Sequence, residues 1–222
     1  MTLARDVTLA GMAQEYAAFA ELLGSLSSAD WEQTTRCAGW RVADVAGHVV
    51  GQLTDVVNFR LDGLGSAEVT QREVDERRGR TPAELADELV ASAKLAVDLG
   101  AGFDDAAWAG PLPGGGPGTL GSGVEALWFD TYVHADDIRA ALERPSQRSD
   151  GARASLSHVA EQLTDRGWGP AELRFEGYET FAVSGGGGQS ISGDAHAFIL
   201  AATGRSDPAQ LGLDPSVNIY AA

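Results

Sequence analysis

The stretch FDTYVHADDIRAAL, residues 129–142, combines a helical pattern with ionisable residues on its apolar side. Placed at about 100° per residue, Asp130 and His134 fall among Leu127, Ile138 and Ala141. The polar residues assigned to the opposite, solvent-facing side are Tyr132, Asp136 and Arg139. Burying a lone carboxylate or imidazole is costly unless a partner compensates for the lost hydration. We therefore expect Asp130 and His134 to have a partner that compensates for their burial.

Three segments upstream of this helix also have apolar residues at helical spacing. Two helix starts of the capping-box type are predicted at Thr81 and Ser122, each followed three residues later by a glutamate. The four predicted helices lie near residues 6–26, 41–60, 81–100 and 122–143. Four such helices predict a bundle.

The sequence changes character after ERPSQRSDG, residues 143–151, which is typical of a linker. Beyond it we predict a helix, strands around a glycine-rich turn, and a second helix that begins at Asp194 and ends at Gly204. The fold prediction is therefore a mixed one, with a four-helix bundle over residues 1–145 and a small α+β domain over 151–222. The Gly- and Pro-rich segment 101–121 is long for a plain connection, and we expect it to line a functional site.

The composition excludes several classes of function. A net charge of −16 over 222 residues argues against a nucleic-acid partner, which requires clustered Lys and Arg. No apolar run approaches the roughly 20 residues of a membrane span, and no signal peptide is visible at the N-terminus. Cys37 is the only cysteine, so no internal disulfide forms. We expect a cytoplasmic protein, and the sequence leaves its oligomeric state open.

Asp130 and His134 are the first candidate metal ligands. Residues four apart lie on one face of a helix, within reach of one ion. The same spacing fits equally well a hydrogen-bonded pair that ties two helices together. A third ligand should come from another helix, and His48 lies at the edge of the apolar stripe of the second helix. Taken alone, His48 is more simply interpreted as a boundary residue.

Two imidazoles and one carboxylate would leave open positions on a metal, which is typical of catalytic sites. Zinc is the leading candidate, with iron, nickel and manganese as alternatives. Asp137 is interpreted either as a hydrogen-bond partner of His134 or as a contact to a neighbouring helix. His158 and His196 are interpreted as structural or solvated. Because Cys37 has no evident activating partner, a metal-bound water or an external thiol would have to act as nucleophile.

Three motifs resemble those of one known family, in the same order and over nearly the whole chain. They are CAGWRVADVAGHVV at residues 37–50, DTYVHADDIRAAL at 130–142 and SGDAHAFILAATGR at 192–205. Together they are similar to the mycothiol-dependent maleylpyruvate isomerase branch of the DinB-like metal-binding bundles. This resemblance implies a DinB-like four-helix bundle followed by a small α+β domain.

The resemblance also implies a site and a reaction. It implies zinc bound by His48, the acid at position 130 and His134, with mycothiol as the thiol cosubstrate. Arg205 matches an arginine that this branch uses in catalysis, although on its own it would be interpreted as a charge at a helix C-terminus. The family acid is usually glutamate, whereas Asp130 is one methylene shorter, so the helices must lie closer together or a water must intervene.

Two hypotheses about function follow. In the first, the chain is a metal- and mycothiol-dependent isomerase or S-transferase, in which a metal-activated thiolate attacks a small electrophile. In the second, it is a non-catalytic metal-binding protein of DinB-like fold, such as a sensor or a partner module.

Overall fold

The computed structural model describes residues 3–115 and 117–221, which form two compact units. Residues 4–147 make up the first unit, and residues 148–221 with Leu3 make up the second. The helices of the first unit are α1 (Arg5–Gly24), α2 (Ser28–Trp31), α3 (Val42–Val57), α4 (Ala67–Asp75), α5 (Pro82–Ala101), α6 (Asp105–Trp108) and α7 (Leu120–Ala141).

The four long helices of the first unit form a closed ring. Helix α1 packs against α5 and α7, and α3 packs against the same two helices. Each helix buries its apolar stripe toward the centre of this ring, which contains Tyr16, Leu53, Leu89 and Ile138. The predicted fold class, a four-helix bundle followed by a small α+β portion, is confirmed.

The starts of the helices differ from the predictions in one place. At α5, Thr81 and Glu84 form the expected capping box, with Pro82 in the first turn. At α7, the capping residue is Thr119 instead of Ser122, and the helix begins at Leu120, two residues before its predicted start. The Thr119 hydroxyl accepts a hydrogen bond from the Ser122 N–H at 3.1 Å, which places Ser122 inside the first turn.

The predicted polar face of α7 is wrong for two of its three residues. Tyr132 and Asp136 are only 2% and 4% exposed, whereas Arg139 is half-buried. The reason is that α7 has neighbours on several sides. It contacts α1 and α3, and Arg36 from the segment before α3 also reaches Asp136.

A glycine permits the close contact between α7 and α1. The Trp128 indole of α7 occupies the space beside Gly11, where a Cβ atom would lie 2.0 Å from the ring. The indole N–H donates a hydrogen bond to Glu15 at 3.3 Å. Trp128 is 1% exposed. Its buried contact with Gly11 and Glu15 therefore fixes α7 against α1 at a position two residues before Asp130.

The second unit contains α8 (Gly151–Asp165), β1 (Ala171–Leu173), β2 (Phe181–Val183), β3 (Gln189–Ile191) and α9 (Ala195–Ala202). The strand order is β2-β1-β3, with β1 antiparallel to β2 and parallel to β3. Helix α8 packs against β2 and α9. Asp194 caps α9 by accepting from the Ala197 N–H at 2.9 Å, and Gly204 follows the helix with a positive φ, as predicted.

The predicted functional segment 101–121 contains the short helix α6 and a β-bridge between Pro111 and Thr119. Its residue Gly116 lies outside the described residues, and its role in lining a site stays a prediction. Throughout residues 3–115 and 117–221, no helix is both long enough and apolar enough to cross a membrane.

Candidate metal centre

A tight turn before α3 carries three side chains to the candidate site. Thr34 pairs with Arg41 across this turn, and main-chain hydrogen bonds close it internally. Arg41 is the N-cap of α3, so the turn leads directly into the helix. Its conformation therefore sets the positions of Arg36, Cys37 and Trp40 relative to α3. We call residues 34–41 the entry turn.

The three residues selected as metal ligands lie together between α3 and α7. The Nε2 atom of His48 is 3.3 Å from one carboxylate oxygen of Asp130, and the Nε2 atom of His134 is 3.5 Å from the other. The three donor atoms all lie within 4.8 Å of one another. His48 and His134 are buried, and 17% of the Asp130 side chain is exposed.

The Nδ1 atom of each imidazole contacts a second carboxylate. The Nδ1 of His48 donates to Glu73 at 2.8 Å, and the Nδ1 of His134 donates to Asp137 at 2.8 Å. A carboxylate at Nδ1 keeps the proton on that nitrogen and leaves Nε2 as the metal-binding atom. Both Nε2 atoms face Asp130, so the two rings are oriented toward one point.

Glu73 was not predicted from the sequence, because α4 is a short and mostly polar helix. Its buried residues are Glu73 and Val74, so a carboxylate lies on the buried side, where an apolar residue would be expected. The structural reason for the contact is Gly51 on α3, where a Cβ atom would lie 2.6 Å from the Cβ of Glu73. The available signal was the Gly47–Gly51 spacing, which is typical of a helix that a neighbour approaches closely.

Of the two interpretations of Asp137, a partner of His134 or a contact to a neighbouring helix, the structure has the first, and the further partner of Asp137 is Arg36 of the entry turn. One oxygen accepts the proton of His134, and the other accepts from the Arg36 Nε at 2.5 Å. A second Arg36 nitrogen donates to Asp136 at 2.6 Å. Cys37, for which no activating partner was evident from the sequence, donates its thiol to Asp137 at 3.1 Å. Cys37, His134 and Asp137 thus form a second group of potential donors.

Trp40 of the entry turn lies against both imidazoles. Its ring centroid is 5.4 Å from that of His48 and 6.4 Å from that of His134. The two imidazole rings meet edge to face at 5.2 Å. The half-buried indole therefore forms an apolar surface beside the two imidazoles.

The charges of the site favour a bound cation. Burial lowers the pKa of His48, but Asp130 and Glu73 outweigh this effect and raise the pKa to about 10. His48 is therefore protonated at neutral pH in the metal-free protein, with one N–H on each carboxylate. A divalent cation at Nε2 would replace that proton and balance the same negative charge. Two imidazole nitrogens and one carboxylate oxygen are a donor set that fits zinc.

Other residues considered from the sequence lie in the second unit. Arg205 follows α9, and its guanidinium donates to the Thr203 carbonyl at 3.4 Å. This contact agrees with the interpretation of Arg205 as a charge at a helix C-terminus, and its catalytic role stays a prediction. His196 is buried and His158 is half-buried within the same unit.

Comparison with known proteins gives one family. The profile described as "Mycothiol maleylpyruvate isomerase N-terminal domain" matches residues 12–139. Two crystal structures are similar, those of mycothiol-dependent maleylpyruvate isomerase and of its histidine-to-alanine mutant. Each has a TM-score of 0.60 and 16% sequence identity over 92% of this chain and 90% of the other, a likeness of fold. No curated protein matched. Because the profile spans more than half of the sequence and includes all three donors, the chain belongs to the mycothiol maleylpyruvate isomerase family.

Proposed function

We propose that the chain is a metal- and mycothiol-dependent enzyme that isomerises a small electrophilic substrate or transfers the thiol to it. The observation that carries this proposal is the convergence of two imidazole Nε2 atoms on the two oxygens of Asp130. Membership of the family supports a thiol-dependent isomerase. The metal, which we propose to be zinc, would be held by His48, Asp130 and His134.

The short side chain of Asp130 is compatible with this role. Its two oxygens lie 3.3 and 3.5 Å from the two nitrogens, so the aspartate side chain is long enough to reach both imidazoles. A divalent metal in this set would lower the pKa of a thiol that reaches it and so supply a thiolate at neutral pH. Three protein donors leave a position for that thiol.

The surrounding residues orient the donors and flank them. Glu73 and Asp137 fix the two Nδ1 protons, and the Trp40 indole lies beside the two imidazoles. Cys37 is engaged with Asp137 on the Nδ1 side of His134, away from the Nε2 atom that faces Asp130. This position favours an external thiol over Cys37 as the nucleophile. We assign Arg205 to binding a substrate carboxylate, the group for which a guanidinium is well suited.

The thiol accounts for both proposed reactions. Its sulfur adds to one carbon of an activated double bond, and a proton is taken up at the neighbouring carbon. Rotation about the new single bond, loss of that proton and elimination of the thiol give the isomer. Release of the adduct before elimination gives an S-transferase instead.

The test uses the purified protein with mycothiol and maleylpyruvate. We expect formation of the trans isomer only when mycothiol is present, loss of the reaction after treatment with a chelator, and recovery with zinc. Tight metal binding without mycothiol binding, or without consumption of any electrophile, would instead identify a non-catalytic metal-binding module.

The assignment of Arg205 has its own control. Arg205→Gln should raise the KM for a substrate that carries a carboxylate. Arg174→Gln, which removes an exposed arginine paired with Glu172 in the same unit, should leave the KM unchanged. Equal effects of the two substitutions on the KM would contradict the assignment of Arg205 to substrate binding.

A further inference from the structure

Arg36 reaches the candidate metal centre from the entry turn and not from a bundle helix. About a quarter of its side chain is exposed, at 26%, whereas the carboxylates that it binds are 5% and 0% exposed. Its Nε donates to Asp137 at 2.5 Å, and its Nη2 donates to Asp136 at 2.6 Å. One guanidinium thus joins two neighbouring buried carboxylates of α7.

The guanidinium holds the two carboxylates in fixed orientations. Two adjacent buried acids repel each other, and a cation that contacts both offsets this repulsion and restricts their rotation. A guanidinium is planar and has several donors, so it can contact both acids at once, which a lysine ammonium at the end of a flexible stem does less well. Arg36 therefore restricts the orientation of Asp137.

The orientation of Asp137 matters because its two oxygens have different partners. Arg36 occupies Oδ1, while Oδ2 accepts from the Nδ1 of His134 at 2.8 Å and from the Cys37 thiol at 3.1 Å. In this orientation the Oδ2 atom of Asp137 accepts the Nδ1–H of His134. A rotated Asp137 would no longer hold that hydrogen bond and would allow the other tautomer, in which Nε2 carries the proton and cannot bind a metal.

We propose that Arg36 is a positioning residue of the metal centre, which acts through Asp137 to hold His134 in the tautomer and orientation that present Nε2 next to Asp130. The inference rests on the proposed metal site and adds to it a residue that touches none of the three donors. We call the series Arg36–Asp137–His134 the relay.

The first test is the affinity of the purified full chain for cobalt(II), measured by competition with a chromogenic chelator. Arg36→Met should weaken binding by about 10- to 100-fold, the usual effect of losing an outer partner of a ligating histidine. Arg36→Lys keeps the positive charge but loses the planar guanidinium that contacts both acids. Its metal affinity should therefore lie between those of Arg36→Met and wild type. The matched control is Arg41→Met in the same turn, which removes ion pairs to Glu32 and Asp44 and should change the affinity by less than about two-fold.

A double-mutant cycle separates the relay from a general loss of structure. If Arg36 acts through Asp137, then Arg36→Met should cause no further loss of affinity in an Asp137→Asn background. Additive losses would mean that Arg36 acts independently of Asp137 and would overturn the proposal. Thermal melting of the metal-free variants reports on folding, and Arg36→Lys and Arg36→Gln replace Arg36→Met if that variant does not fold.

Long-range 1H–15N NMR of the zinc-loaded protein gives the second readout. Wild type should show His134 protonated at Nδ1 alone, whereas Arg36→Met should show a mixture of states at that ring. Wild type that binds no metal would overturn the proposed centre and the relay together. If wild type binds metal and Arg36→Met has the same metal affinity and the same His134 spectrum as wild type, the relay alone would be overturned.

Discussion

Gly51→Ala is expected to separate α4 from α3 and so to remove the carboxylate that holds His48. A Cβ atom at this position would lie 2.6 Å from the Cβ of Glu73, 2.9 Å from an Arg77 nitrogen and 3.0 Å from the Cγ of Glu73. The nearest atom is attached to the α4 backbone, so the overlap cannot be relieved by rotating a side chain. The helix itself must move, and Glu73 must move with it.

The size of the effect follows from two opposing contributions. Alanine in place of glycine within a helix stabilises it by about 0.5–1 kcal/mol. Overpacking of a tight contact costs about 1–3 kcal/mol. The midpoints of these two ranges leave a net decrease of about 1 kcal/mol in the free energy of unfolding of Gly51→Ala. Loss of the Glu73 contact should also weaken metal binding by about ten-fold or more.

Gly47→Ala is the matched control, one turn earlier on the same face of α3. Its Cβ atom would meet Arg77 and Val74 at 3.5–3.8 Å, which is ordinary van der Waals contact. Only the helix propensity then changes, so this variant should gain about 0.5–1 kcal/mol and keep its metal affinity.

Urea denaturation of the metal-free proteins and cobalt titration of the native proteins measure the two effects. The two glycine variants should differ in the sign of their stability change and in metal affinity. Equal behaviour of Gly47→Ala and Gly51→Ala in both assays would refute the claim that close α3–α4 packing places Glu73 behind His48.

Four further predictions concern the donors and the indole beside them. Asp130→Asn should weaken cobalt binding by about ten-fold or more, whereas Asp130→Glu, the usual family residue, should keep most of the affinity in the same competition assay. In the metal-free protein, the raised pKa of His48 contributes stability that is complete below about pH 6.5 and is lost as the pH rises toward 10, so urea denaturation should show falling stability over this range. Calorimetry in buffers of different ionisation enthalpy should accordingly show proton release when metal binds at neutral pH. Metal addition should change the tryptophan fluorescence through Trp40, and Trp40→Phe should abolish the change although four other tryptophans remain.

The bundle could be predicted because its long helices carry apolar residues at helical spacing, and because α5 begins with a recognisable capping box. The same reasoning identified Asp130 and His134, because ionisable residues among Leu127 and Ile138 are conspicuous on a buried helix face. The sequence signal for His48 as a ligand was weaker, because an edge position is also compatible with an ordinary boundary histidine. Its contact with Asp130 depends on how α3 and α7 pack, which periodicity does not describe.

The surroundings of the donors could not be predicted from patterns of this kind. Glu73 lies on a helix with little apolar character, and its burial depends on a glycine of another helix. Arg36 lies in a turn about 100 residues away in sequence from Asp136 and Asp137. Long-range ion pairs leave no local periodicity, and for this reason Asp136 was assigned to the solvent-facing side although it is buried.

The metal content of wild type and His48→Ala tests the central claim most directly. Elemental analysis after reconstitution with zinc and removal of excess ion should show one divalent metal per chain in wild type. His48→Ala should retain little or none, while His158→Ala, which changes a half-buried histidine of the second unit, should match wild type. A His48→Ala protein that keeps its full metal content would contradict the assignment of His48, Asp130 and His134 as a single site.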